Sequence, residues 1–196
     1  MKTPPTANPQ PDQFAEALNK SDSSVTEAGS STSQGLYSLI AEQPFFKGLE
    51  PHQLQLLADC AMQMHFEPGQ TILEEGSQAN RFYLIIEGKV VIESEMAERG
   101  LIPIQTLGPG DDLGWSWLFP PFYTQFSARA LIPTSAIFFY GTRLREQCEQ
   151  DHELGYQLMM RIAEVMTQRL HNTQLRLLEC TDSTKAKQWM QLENKA

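Results

Sequence analysis

The chain has 196 residues, enough for one sizeable domain with a single hydrophobic core. Its 15 Lys and Arg residues against 24 Asp and Glu residues leave a net charge of −9, which disfavours binding to nucleic acid or to anionic lipid. No apolar run is long enough for a membrane helix, and the N-terminus lacks the apolar stretch of a secretory signal. We therefore expect a cytoplasmic protein that binds neither nucleic acid nor membranes.

The cysteines and histidines form no recognisable metal-binding or disulfide pattern. Cys60, Cys148 and Cys180 are odd in number and far apart, which favours three reduced thiols. The four histidines also lack the spacing of metal ligands. The sequence predicts no metal site.

The first part of the chain divides into a tail and a helical segment. Residues 1–34 combine four prolines with a Ser- and Thr-rich stretch and few hydrophobic residues, so we expect a disordered tail. A folded domain is predicted over residues 35–180, with a second tail over 181–196. From Leu36 to about Met64 the apolar residues are spaced as in short helices, one of which should begin at Glu50-Pro51.

Beyond Met64 the apolar pattern changes to short β-rich runs. Four of these, TIL, RFYLII, KVVIE and LIPIQTL, are separated by Gly-containing turns, and a second β-rich stretch, SARALIPTSAIFFY, follows. This spacing favours an antiparallel roll over βαβ units. A short helix after Gly141 and a long helix from about His152 to Cys180, capped by Asp151, follow. The predicted fold class is α+β, a jelly-roll-like antiparallel β-roll flanked by short N-terminal helices and a long C-terminal helix.

The order of runs and turns resembles a known family. The segment PFFKGLEPHQLQLLA and the pattern F-x-P-G-x-x-I-L-x-E-G-x-x-A-N-x-F-Y-L-I-I-x-G-K-V at residues 66–90 are similar to the cyclic-nucleotide-binding domain of the cyclic AMP receptor protein family. The likeness extends over nearly all of residues 36–180. It implies the cyclic-nucleotide-binding fold, with a ligand held against a phosphate-binding cassette that corresponds here to residues 109–130.

The cassette departs from the family pattern at its two charged contacts. In the family a Glu binds the ribose hydroxyl and an Arg clamps the cyclic phosphate. With Gly114 on the family glycine, Trp115 stands at the Glu position and Thr124 at the Arg position. The resemblance implies no certain cofactor, and at most weak binding of cyclic AMP, cyclic GMP or another small anionic ligand through Gly114, Trp115, Ser116, Thr124, Ser127 and Arg129.

Two further features of the cassette leave alternatives open. A shifted alignment would make Asp112 the sugar partner and Arg129 the phosphate partner, although Arg129 would then lie within the following strand. Otherwise Asp111 and Asp112 are interpreted as a solvated helix-cap pair rather than an acid–base dyad. A short helix from about Gly114 to Phe119, ended by Pro120-Pro121, would offer backbone N–H groups to an anion.

The cassette is also unusually aromatic. Such a cluster could stack on a heterocycle or bind a partner, but we favour packing that fills the volume left by an absent nucleotide, with Trp115 in the place of the sugar. The cluster consists of Trp115, Trp117, Phe119, Phe122, Tyr123 and Phe126.

The long C-terminal helix carries two apolar stripes. Leu158, Ile162 and Val165 should pack on the β-roll. The second stripe continues in four- and three-residue steps for three heptads, which favours pairing with a second copy of the chain over a monomer. It consists of Met159, Ala163, Met166, Leu170, Thr173, Leu177 and Cys180.

These features together predict a non-enzymatic regulatory protein. No nucleophile–base pair or paired carboxylate indicates catalysis. Residues 181–196 are too few for the helix-turn-helix of transcriptional members of the family, so the output should pass to an unknown effector protein. The leading hypothesis is a stand-alone sensor or regulatory adaptor. The alternative is a protein–protein interaction module with an occluded pocket that binds no nucleotide.

Overall fold

A computed structural model describes the backbone of residues 28–96 and 100–193, and the side chains of residues 34–96 and 100–178. In chain order the helices and strands are α1 (Ala28–Ala41), α2 (Pro51–Asp59), β1 (Ala61–Phe66), β2 (Thr71–Leu73), β3 (Arg81–Glu87), β4 (Val90–Met96), β5 (Gly100–Leu107), β6 (Asp112–Leu113), β7 (Ser127–Ala130), β8 (Thr134–Tyr140), α3 (Gly141–Gln150) and α4 (His152–Glu193). The predicted order of helices, β-roll and helices is confirmed.

The strands form two antiparallel sheets that face each other as a roll. One sheet has the order β1-β8-β3-β6 and the other the order β2-β7-β4-β5. Side chains alternate along β3, so that Phe82 and Leu84 pack with the helices whereas Tyr83 and Ile85 pack between the sheets. The core therefore consists of an inter-sheet cluster and a helix-side cluster that covers the outer face of the first sheet.

The N-terminal boundaries differ from the prediction in two places. Helix α1 begins at Ala28, inside the predicted tail, and the rest of that tail lies outside the described residues. Helix α2 ends at Asp59, and β1 then occupies residues that we expected to be helical. Tertiary packing explains why this segment is a strand, because Met64 and Phe66, on alternate positions of β1, pack into the inter-sheet cluster.

The last helix starts as predicted and ends later. Asp151 Oδ1 accepts a hydrogen bond from the Leu154 N–H at 3.0 Å, which caps the helix as expected. Leu158 and Ile162 of the first stripe are buried in the helix-side cluster as predicted, whereas Val165 is half-buried. Helix α4 continues past Cys180 to Glu193, because no Pro or Gly follows Gly155 to stop it.

Candidate functional site

The segment that joins β6 to β7 starts at a close backbone contact. Gly114 has φ = +89°, and a Cβ atom there would lie 2.4 Å from the carbonyl oxygen of Arg81. Both the left-handed backbone and the lack of space require glycine. This contact holds the start of the cassette against β3.

The predicted helix after Gly114 is much shorter than expected. Only Trp115–Trp117 form a 3-10 helix, with the Leu118 N–H donating to the Trp115 carbonyl at 3.1 Å. A single turn carries little of the dipole that would attract an anion. The predicted extent of the helix, from about Gly114 to Phe119, is therefore wrong, and anion binding at its start stays a prediction.

Of the six aromatic residues of the cassette, Trp117 is buried, Trp115 and Phe122 are half-buried, and the other three are exposed. Trp117 is fully buried in the helix-side cluster, and Trp115 is half-buried against the same cluster. Packing is thus confirmed for the tryptophans, but Trp115 faces the helices and does not fill the space between the sheets. Phe119, Tyr123 and Phe126 are 40%, 57% and 41% exposed, so the packing interpretation is wrong for them.

The second half of the cassette is hydrogen-bonded to the loop that follows β2. The Thr124 N–H donates to the Ser77 carbonyl at 2.8 Å, and the Gly76 N–H donates to the Thr124 carbonyl at 2.8 Å. The buried Thr124 hydroxyl lies 3.4 Å from the Ser77 hydroxyl. Ser127 Oγ accepts the Glu75 N–H at 3.1 Å. The structure thus brings Thr124 and Ser127 to one loop, whereas Trp115 and the half-buried Ser116 belong to the 3-10 helix.

Arg129 lies in β7 and is paired with a buried carboxylate. Its Nε and Nη2 donate to Glu93 Oε1 and Oε2 at 2.8 and 2.7 Å. Its strand neighbours Ala128 and Ala130 belong to the inter-sheet cluster, so Arg129 is on the outward face. The hydrogen bond from Arg129 lowers the pKa of Glu93 despite burial.

We expect the Glu93–Arg129 pair to contribute acid-sensitive stability. A carboxyl whose pKa is lowered on folding stabilises the protein above its unfolded pKa, about 4.3, and this contribution is lost as the pH falls through the lowered value. Glu93→Gln should therefore reduce the free energy of unfolding at pH 7, and the difference from wild type should shrink on acidification. Urea unfolding at several pH values measures the free-energy difference between variant and wild type. A difference that does not change with pH would contradict the prediction.

Asp112 is buried on the helix side of the first sheet, and the expectation that it is solvated is wrong. Its side chain is 1% exposed, and Arg169 of α4 donates to Asp112 Oδ1 at 3.1 Å and to the Asp112 carbonyl. Burial raises the pKa of Asp112, while Arg169 opposes the rise. Oδ2 has no hydrogen-bond partner among the described residues. Asp111 instead accepts the Gly108 N–H at 2.8 Å.

Sequence reasoning missed this pair, although part of the signal was present. Arg169 follows Leu158, Ile162 and Val165 at the helical spacing of the docked stripe, so it was placed to face the sheet. Nothing local identified its partner, which is 57 residues away along the chain.

The second stripe of α4 is mostly exposed. Met159 and Leu170 are 50% and 59% exposed, and Ala163, Thr173 and Leu177 are also exposed. Met166 is half-buried against the helix-side cluster, and the Cys180 side chain lies outside the described residues. An apolar stripe therefore faces away from the domain that carries the helix.

The thiols and acidic residues of the described ranges offer no metal site. Cys60 and Cys148 are free thiols, and burial raises the pKa of Cys148 to about 11. Within the described ranges no three His, Cys, Asp or Glu residues are grouped as metal ligands would be. Among the described helices, none has the length and apolar content to cross a bilayer.

Comparison with known proteins identifies the family. The profile of the cyclic nucleotide-binding domain matches residues 63–151. A protein of known structure from Geobacter metallireducens, classed as cyclic nucleotide-binding, is 30% identical with a TM-score of 0.62, and the match covers 68% of this chain and 97% of that one. The chain belongs to the cyclic nucleotide-binding domain family.

Other relatives of this cyclic nucleotide-binding domain are regulators. The CRP-like cAMP-activated global transcriptional regulator of Mycobacterium tuberculosis is 27% identical over 135 residues, which cover 69% of this chain and 58% of that protein. The chain therefore spans less than two thirds of that relative. The regulatory subunit of a cAMP-independent protein kinase A from Trypanosoma brucei shares the fold, with a TM-score of 0.63 at 22% identity over 78% of this chain and 54% of that one.

The cassette of this cyclic nucleotide-binding domain contains one cation. Between residues 112 and 130 the sequence has a single basic residue, Arg129. That guanidinium is bound to Glu93 on the outward face of its strand. The hydroxyls of Ser77, Thr124 and Ser127 are neutral, and the loop after β2 that they adjoin carries two carboxylates, Glu74 and Glu75.

Proposed function

We propose that this domain is a non-enzymatic regulatory module that binds cyclic AMP or cyclic GMP weakly, or takes another small anionic ligand. The proposal rests on Arg129, the single basic residue of the cassette. Its guanidinium donates two hydrogen bonds to the buried carboxylate of Glu93. Binding a phosphate there would require breaking that pair.

The size of the missing interactions supports weak binding. A hydrogen bond to a charged group contributes about 1.5–3 kcal/mol, and each ~1.4 kcal/mol is tenfold in affinity. Without the Glu and the Arg of the family pattern, a micromolar site becomes a roughly millimolar one. Thr124 and Ser127 supply only neutral hydroxyls in their place.

A second candidate function is a protein-interaction module that binds no nucleotide. The packing between the sheets favours it, because the inward-facing Tyr83, Leu113 and Ala128 are all less than 5% exposed. A ligand between the sheets would have to displace these contacts. The exposed part of the cassette would then serve as the binding surface.

Thermal unfolding with added nucleotide separates the two candidates. A ligand at a hundredfold excess over its Kd stabilises the folded state by about 2.7 kcal/mol. We expect a dose-dependent rise in Tm at millimolar cyclic AMP or cyclic GMP, and none with 5′-AMP at the same concentration. An unchanged Tm with both cyclic nucleotides would favour the interaction module.

We propose that the domain acts as a homodimer formed through the second stripe of α4 and passes its signal to an effector protein. We expect Leu170→Asp to shift the protein to monomer, because an unpaired charge in an apolar seam is costly. Light scattering measures the mass at several concentrations.

The matched control is Gln168→Asp, which places the same charge on the opposite side of α4. Gln168 is exposed and donates a hydrogen bond to Asn172 within its own helix. The Gln168→Asp variant should therefore remain a dimer. A wild-type protein that is monomeric at high concentration would contradict the proposal.

A further inference from the structure

The exposed aromatic group of the cassette is not explained by nucleotide binding. Phe119, Tyr123 and Phe126 present three rings to solvent within eight positions of the chain. Apolar residues scattered singly over a surface need no explanation, whereas grouped ones mark binding surfaces, and these three are grouped along the chain. We refer to these three residues as the aromatic face.

The aromatic face is built on a fixed backbone. Tyr123 forms a β-bridge with Gln78, and the Ala79 N–H donates to the Phe122 carbonyl at 2.7 Å. Phe122 has φ = +61°, which is uncommon for a residue with a bulky side chain, and the Arg145 guanidinium lies 4.7 Å from its ring centroid. A surface held in this way loses little conformational entropy when it binds a partner.

A segment with the matching chemistry lies in the same chain. Residues 4–11 contain Pro4, Pro5, Pro9 and Pro11. Proline has a restricted φ and no N–H group, so proline-rich segments favour an extended polyproline conformation that binds aromatic surfaces at low entropic cost. We propose that this N-terminal proline-rich segment binds the aromatic face of its own chain.

The length of chain and the place where it joins the fold are consistent with this contact. The prolines are separated from Ala28 by at least 16 residues, and a random-coil chain of 16 residues has a root-mean-square span of about 20–25 Å. Helix α1 then places Ile40 in the helix-side cluster, against which Trp115 also packs, and the Trp115 ring centroid lies 6.4 Å from that of Phe119. Tethering gives the segment an effective concentration of about millimolar, an advantage that a separate partner lacks.

Photo-crosslinking in the full chain tests the contact. Tyr123 is replaced by benzoylphenylalanine, equal amounts of isotopically light and heavy protein are mixed, and the crosslinks are mapped by mass spectrometry. We expect links from position 123 to residues 1–14, each joining peptides of the same isotope. A probe at Tyr156 of α4, which is 56% exposed against 57% for Tyr123, serves as the matched control and should not reach the segment.

A variant of the segment completes the test. Replacing all four prolines by Ala should reduce the crosslink yield at position 123 about tenfold, because the preorganisation is lost. Links between light and heavy peptides, links confined to residues 28–196, or an unchanged yield in the proline variant would each overturn the proposal. None of these readouts depends on cyclic nucleotide, so the proposed function can fail independently.

Discussion

Replacing Trp115 by Glu and Thr124 by Arg is expected to raise the affinity for cyclic AMP by about 100-fold or more. The Glu restores an acceptor for the sugar hydroxyl, and the Arg restores a bidentate donor for the cyclic phosphate. Trp115 packs against the helix-side cluster, so the gain requires the new Glu side chain to turn from the helices towards the sugar, and it is reduced by the packing that is lost. Calorimetric titration of wild type and variant gives the ratio of Kd values.

The matched control replaces both positions with Gln, which supplies similar length without charge. This variant should bind no more tightly than wild type. Circular dichroism and Tm establish that each variant is folded before affinities are compared. An equal gain with Gln, or no gain in a folded Glu and Arg variant, would show that positions 115 and 124 do not face the ligand.

Removing Arg169 is expected to cost about 3–5 kcal/mol of folding free energy, because it leaves the buried Asp112 carboxylate without its cation. Arg169→Met retains much of the apolar stem while removing the charge. Adding Asp112→Leu should recover most of the loss, since an apolar pair needs no compensating charge. Urea denaturation of the single and double variants measures both effects.

The control for Arg169 is another arginine on the same side of α4. Arg176 donates to the exposed carbonyl of Ile104 at 3.1 Å, so Arg176→Met should cost only about 1 kcal/mol. The pH dependence adds a second check. A carboxyl whose pKa is raised on folding gains stability as the pH falls, so Arg169→Met should recover stability on acidification towards pH ~4. Equal losses for the two arginines would contradict a special role for the Asp112 pair.

The arrangement of strands could be predicted because its signals are local. Gly-containing turns separate short runs rich in β-branched and aromatic residues, and this is sufficient for β2 to β5. Strand β1 was missed because its sequence, AMQMHF, follows a helix without a glycine or proline to separate them. Its conformation is decided by pairing with β8, which lies about 70 residues further along the chain.

The site was predictable only in part, for the same reason. The replacement of the family's Glu by Trp115 and of its Arg by Thr124 could be predicted from the sequence, because it requires only an alignment with the family pattern. The direction of each side chain does not follow from the chain alone, since Trp115 packs against a cluster whose other members are distant in sequence. The partners of Arg129 and Asp112 likewise depend on which strand or helix lies opposite, and no local pattern records that.

The most direct test of weak nucleotide binding is calorimetric titration of the wild-type protein with cyclic AMP and cyclic GMP. The structure predicts a Kd near millimolar, with little heat at ordinary protein concentrations, because the cassette offers neutral hydroxyls and its single guanidinium is bound to Glu93. Micromolar or tighter binding would contradict this account. It would show that Arg129 leaves Glu93, or that another cation reaches the phosphate.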